Sequence, residues 1–261
     1  MERSAGQQLG GAFVVGGLIA VVAQVIMMVM AMVAPVPNLV APLSLVVLGI
    51  VGMVLVICGV YEKISAVGGF GAGIMFCGLV EAVAGIFVGA SMEAGGKASA
   101  GMKATGKFAV AILGSLVIVG TLLGVVCVGM PGVQAVMAGP TVAAPGPIVF
   151  LYAFLMGGLI SIEGQALLTF AKLPNPVVVL INAALGMLLT IFGVAGNLEV
   201  ITGAGLCATV VDAGAGAVLG GAMIAAHGVP MVTIVLVAVM VLVVIMGVIS
   251  GNVLLKRAKN H

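Results

Sequence analysis

The chain has no tryptophan and only two tyrosines, and aromatic residues make up 4% of its 261 positions. These residues normally anchor a bilayer-spanning protein at its water interfaces, so any interfacial belt here is weak. Charge is scarcer still. Only 6% of residues are charged, against about 25% in soluble domains, and water cannot be the solvent for most of this surface. A net charge of +2 with no basic stripe gives nucleic acid nothing to bind. Cys58, Cys77, Cys127 and Cys207 stand alone without metal-type spacing and read as small apolar fillers. There is no Ser-His-Asp set, no paired carboxylate geometry and no metal cluster in the pattern. It predicts a protein that is not an enzyme and carries neither metal nor cofactor.

What the chain has is oil and small residues. It is 63% apolar, with mean hydropathy +1.44, 41 glycines and 17 methionines. Small residues let membrane helices approach closely where lipid offers no hydrophobic drive for association. Six uninterrupted apolar runs are long enough to cross about 30 Å of hydrocarbon: Ala12–Ala34, Ala41–Val60, Phe108–Met130, Ile148–Ala171, Val177–Ala195 and Val229–Leu255. The first is longer than a signal-peptide core and reads as a retained span. Two further stretches, Ser65–Ala90 and Ile201–Ala226, are apolar but rich in glycine, and each carries a carboxylate, Glu81 or Asp212.

The chain also repeats itself. Ala12–Gln24 reads AFVVGGLIAVVAQ and Ala153–Gln165 reads AFLMGGLISIEGQ, identical at seven of thirteen positions. Each copy leads to a Pro-x-Pro break, Pro35–Pro37 or Pro174–Pro176, and then to a glycine cluster, Gly68–Gly73 or Gly203–Gly205. Duplicated hydrophobic units are how many transporters are built, with the pathway at the repeat interface. The expected organisation is a first membrane repeat over 1–130, an external linker over 131–147 and a second repeat over 148–261.

Charge placement chooses the topology. If both glycine-rich stretches re-enter rather than span, each repeat has three spans and the second is inverted. With a cytoplasmic N-terminus, all nine lysines and arginines then lie on the cytoplasmic side, and so do both termini. If both stretches span fully, Lys97, Lys103, Lys107 and Lys172 fall outside. The positive-inside rule prefers the first arrangement. The expectation is an all-α polytopic membrane protein of two inverted three-span repeats, each with a glycine-rich re-entrant segment. The two segments should meet near the midplane and enclose a wet crevice, since non-helical backbone there needs protein or water to satisfy it.

At AFLMGGLISIEGQ the chain resembles the SpoVA sporulation membrane proteins, of the SpoVAC and SpoVAE type. Gly157, Gly158, Leu159, Ile160, Gly164 and Gln165 match the family's opening stretch. Gly16, Gly17, Leu18, Ile19 and Gln24 match it again, with Ala23 in place of a glycine. Gly59-Val60-Tyr61, Gly68-Gly69-Phe70-Gly71 and Thr202-Gly203-Ala204-Gly205 resemble its middle motifs. The chain looks like two such units in tandem, where family members are single units. The resemblance implies a channel passing dipicolinic acid, with its calcium, across the inner spore membrane in sporulation and germination. It implies no catalysis. With almost no extramembrane mass, such a channel needs other membrane subunits and a soluble gating protein as partners.

Five polar residues are candidate pathway-lining groups: Gln24, Glu81, Glu163, Gln165 and Asp212. Glu163 lies inside an apolar run, where an ionised carboxylate costs about 2.5–3.5 kcal/mol on insertion scales. It is either a proton or cation site lining the pathway, or a protonated carboxyl bonded to a neighbouring helix. Gln24 and Gln165 occupy equivalent places, as polar lining or as interhelical hydrogen-bonding groups. Two positions apart, Glu163 and Gln165 share no helix face unless Gly164 distorts the helix. Glu81 and Asp212, with Gly68, Gly69, Gly71, Gly203 and Gly205 as re-entrant glycines, suit either a hard cation held by carboxylates and carbonyls or an anion held by backbone N–H groups. Helix capping is the plain alternative for both carboxylates. A secondary carrier coupled through Glu163, or a non-transporting subunit of a membrane complex, are the other functional readings.

Overall fold

A computed structural model describes residues 3–34, 39–228 and 231–259. The Pro35–Pro37 break lies outside them. Helix α1 (Ala5–Val33) opens with a capping box, in which Ser4 Oγ accepts from the Gln7 N–H while Gln7 Oε1 accepts from the Ser4 N–H. It is followed by α2 (Val40–Ile57), α3 (Val60–Gly68), the single turn α4 (Phe70–Gly73), α5 (Phe76–Glu93) and α6 (Ala98–Phe108). A π-helical turn, Ala109–Gly114, carries α6 into α7 (Ser115–Cys127). The second half runs α8 (Pro131–Ala138), α9 (Val149–Thr169), α10 (Asn175–Ile191), α11 (Ala195–Thr202), α12 (Ala204–Cys207), α13 (Val210–His227) and α14 (Met231–Lys259). Pro174 precedes α10 and Pro176 occupies its first turn, where a missing N–H costs no intrahelical bond. Among the described residues the one extended pairing is a β-bridge between Met75 and Thr209.

Six helical runs are long and apolar enough to cross a membrane: Ala5–Val33, Val40–Ile57, Phe76–Glu93, Ala98–Cys127, Gly146–Thr169 and Met231–Lys259. Their outer faces are apolar and bare, with Met32 at 81% and Val126 at 80% exposure. Lipid solvates such side chains and water does not, so this is an all-helical polytopic membrane protein. The six runs differ from the six expected. Val177–Ala195 does not stay straight: α10 ends at Ile191, and α11 leaves it at 110°. The glycine-rich stretch Ser65–Ala90 is not one element either. It holds the end of α3, all of α4 and most of α5, and α5 alone has crossing length. Glycine content was a sign of where the helix breaks, at Gly69, rather than of how much of the stretch is helical. The linker is partly helical as well, since α8 buries Val133 within it.

The two copies of the repeated motif pack on each other, and their shared residues are the contact. A Cβ on Gly16 would lie 1.9 Å from Ser161 Oγ, and one on Gly157 2.5 Å from the Ala20 Cβ. Gly17 receives the Phe154 ring and Gly158 the Phe13 ring. Those two rings meet edge to face at 5.4 Å. Near the start of α1, Gln8 Oε1 accepts from Thr169 Oγ1 at the end of α9 (3.2 Å), so the two helices run antiparallel. Ala12 and Ala153, both fully buried, seat Gly71 and Gly205 against their backbones.

The remaining helices cross between the halves. α14 packs on α2 and α5, and α7 on α13. Val80 and Val83 of α5 meet Gly247, and Phe87 meets Gly251. Farther along, Gly96 meets the Lys259 side chain. Arg257 donates to the Ile57 carbonyl. Arg3 donates to the carbonyls of Ala66 (2.7 Å) and Val67 (3.1 Å). At the opposite end, Gly132 of α8 lies on Ile191 and Gly193.

Candidate functional site

Each half places a sharp break at its glycine cluster. Gly69 has φ +49° and Gly203 φ +51°, a region that an L side chain with a Cβ rarely adopts. The next residue begins a one-turn helix, and its N–H needs an acceptor. Gln165 Oε1 accepts from the Phe70 N–H at 2.8 Å, and Gln24 Oε1 accepts from the Ala204 N–H at 2.8 Å. Each half's glutamine thus caps the other half's break. A Cβ on Gly69 or Gly203 would strike that oxygen at 2.3 or 2.1 Å. Gly68, Gly71 and Gly205 do a different job, admitting Val15 and the Ala12 and Ala153 backbones at close range.

Six residues beyond each break, Met75 and Thr209 pair as the bridge. The Phe76 N–H donates to the Ala208 carbonyl (3.1 Å) and the Val210 N–H to the Ile74 carbonyl (3.4 Å). Met75 and Thr209 also precede the first turns of α5 and α13, so two helix N-termini face each other across it. Ile74, Met75, Phe76, Ala208, Thr209 and Val210 are each at most 1% exposed. The expected wet crevice is therefore absent where the segments meet, because backbone pairing satisfies the groups that water was expected to satisfy.

Open space lies to one side. A cavity of about 590 Å³ is lined by Ser65, Gly69, Gly73, Glu81, Gln165 and Asn175 among others. A second, of about 300 Å³, is lined by Arg3, Gln8, Gly69 and Gln165. They share Gly69 and Gln165, so Gln165 is both a cap and a wall. Its Nε2 donates to Thr169 Oγ1 (3.0 Å) and Gln8 Oε1 (3.4 Å). Tyr61 braces this hairpin from behind, with its hydroxyl donating to the Ala72 carbonyl at 2.9 Å.

Glu163 lines neither cavity. It faces α10, beside Asn182. Asn182 Nδ2 donates to the Val178 carbonyl at 3.0 Å. Glu163 Oε2 and Asn182 Oδ1 are both buried without a hydrogen-bond partner. Gly164 does not distort α9, which is continuous from Val149 to Thr169. It makes room for the Phe70 ring, 1.9 Å from where its Cβ would be.

The fold brings together three potential ligands that the sequence pattern did not. Glu199, Cys207 and Asp212 bring their ligand atoms within 4.8 Å of one another. Glu199 and Cys207 are separated by seven residues and by the helix break at Gly203, a spacing with no metal-type pattern. Comparison with protein-family models, with curated proteins and with solved structures finds no match to this chain.

Proposed function

We propose that this protein is a gated conduit for a small organic anion, built from two inverted three-span repeats whose glycine-rich segments re-enter from opposite faces and abut at the Met75–Thr209 bridge. The carrying observation is that equivalent residues of the two segments pair with each other there, in antiparallel sense, beside a cavity lined by Gly69, Phe70 and Gly73 of the first segment. The end contacts support the inversion. Arg3, Ile57, Val67, Gly96, Arg257 and Lys259 gather at one end, and Thr169 joins them through Gln8. On this reading α5 returns to the face that α3 left, and α13 returns to the face that α11 left. Lys63, Lys97, Lys172 and Lys256 then share the Arg3 face, as the positive-inside rule requires of a cytoplasmic side.

The solute class comes from the resemblance to SpoVA proteins: dipicolinate, with calcium, at the inner spore membrane. The two cavities support a small solute by their size and by their polar groups: Gln165 in both, Arg3 and Gln8 in the smaller, and Asn175 with the Glu81 carboxylate in the larger. The protein performs no covalent chemistry, and its gate is completed by other membrane subunits and a soluble protein. The experiment is dipicolinate release from liposomes holding the purified chain, with and without those partners. Release together with single-channel conductance supports the conduit. The proposal fails if neither is seen when the partners are present.

A proton-coupled carrier is the second reading, favoured by Glu163, an acid within α9 whose Oε2 is buried without a hydrogen-bond partner among the described residues. The readings part at Glu163→Gln. A conduit keeps its conductance in this variant, because Glu163 lies off the cavity. A carrier coupled through this carboxyl loses proton-dependent flux altogether.

A further inference from the structure

We propose that Glu199 of α11, Cys207 of α12 and Asp212 of α13 form a zinc-class divalent metal site. One oxygen from each carboxylate and the Cys207 Sγ lie within 4.8 Å of one another. Tetrahedral zinc, with bonds of about 2.0–2.3 Å, holds its ligands roughly 3.3–3.8 Å apart, so a closure of about 1 Å completes the geometry. The thiol is the second, independent observation. Cys207 is 8% exposed and free, and among the described residues no side chain hydrogen-bonds its Sγ, unlike that of Cys77, which lies 3.1 Å from the Tyr61 hydroxyl oxygen.

The charge balance points the same way. No lysine or arginine occurs between Lys172 and Lys256, so α10 to α13 offer these carboxylates neither an ammonium nor a guanidinium. The basic residues of α14 are at its far end, with Arg257 on the Ile57 carbonyl, and Arg3 is held by Ala66 and Val67. Two carboxylates and a thiolate match zinc better than calcium or magnesium, which take oxygen ligands only. The fourth position is open: Asp212 borders a cavity of about 110 Å³, enough for a water molecule. The corresponding positions of the first hairpin are Ser65, Gly73 and Gly78, which cannot make such a site. The ion therefore ties α11 to α13 across the Gly203 break and stiffens one hairpin of the two.

The test uses the full chain purified in detergent, stripped by chelator and reloaded with Zn²⁺ or with Co²⁺ as its spectroscopic substitute. One ion per chain is retained after desalting, and the Co²⁺ form shows thiolate-to-metal charge-transfer absorption. Cys207→Ser abolishes that band and Cys77→Ser leaves it. Asp212→Asn and Glu199→Gln each weaken retention by about tenfold or more, at least the loss seen when outer-shell partners of a metal are removed. Zn²⁺ raises the thermal midpoint of the wild type and not of Cys207→Ser, a readout that holds if a carboxylate variant misfolds. No retained ion in the wild type, or a band that survives Cys207→Ser, overturns the site.

Discussion

Gln24 and Gln165 show why a polar residue recurs in an oily repeat. Each reaches into the opposite half and accepts the first N–H after a break that its own half does not contain. In a bilayer no water replaces that acceptor. Gln24→Leu keeps the volume and leaves the Ala204 N–H orphaned, so it should destabilise the fold by about 1–3 kcal/mol. Unfolding in mixed detergent measures the loss, and an unchanged midpoint would show that the bond contributes nothing. The equivalence of the two glutamines was legible in the sequence, and so was their polar purpose. Their partners were not, because Phe70 is 95 residues from Gln165 and Ala204 is 180 from Gln24. Glu163 divides in the same way. Its cost in an apolar run could be read directly, whereas its partner Asn182 depended on how α9 and α10 pack.

At the scale of elements, apolar run length found most helices and misjudged two places. Both misjudgements lie where a helix must turn. The α10–α11 bend needs the Phe192–Val194 connection, and hydropathy is blind to it because those residues are nearly as apolar as their neighbours. The first glycine cluster conceals α5, whose eighteen residues would cross a bilayer if they began at its edge. They begin instead at the buried bridge, so length alone does not tell a crossing from a return. The proposed topology makes a direct prediction. Single cysteines at Lys103 and Lys172, in a background without the native ones, should both react with an impermeant maleimide from the same face. Labelling from opposite faces would remove the inverted arrangement.

For the whole molecule the central fact is a seal. Two halves with matching sequences meet through matching residues, and the meeting point is dry. A conduit built this way opens only by parting the Met75–Thr209 pairing or by moving side chains from it. Hydrophobic constrictions close pores by excluding water. On the proposed function, Met75→Asn wets this contact and should raise resting leak of dipicolinate from liposomes by roughly tenfold or more, the effect of about 1.4 kcal/mol on a closed-state barrier. Leak equal to wild type would place the barrier elsewhere. The sequence by itself determined the solvent, the helical class, the duplication and the polar residues that lipid would not tolerate unpaired, because these follow from composition and period along one chain. Only the tertiary structure decided which half caps which, where the two segments pair and that a glutamate, a cysteine and an aspartate come within 4.8 Å of one another. Those outcomes depend on distances between residues far apart in the chain, and such distances arise only when the helices cross.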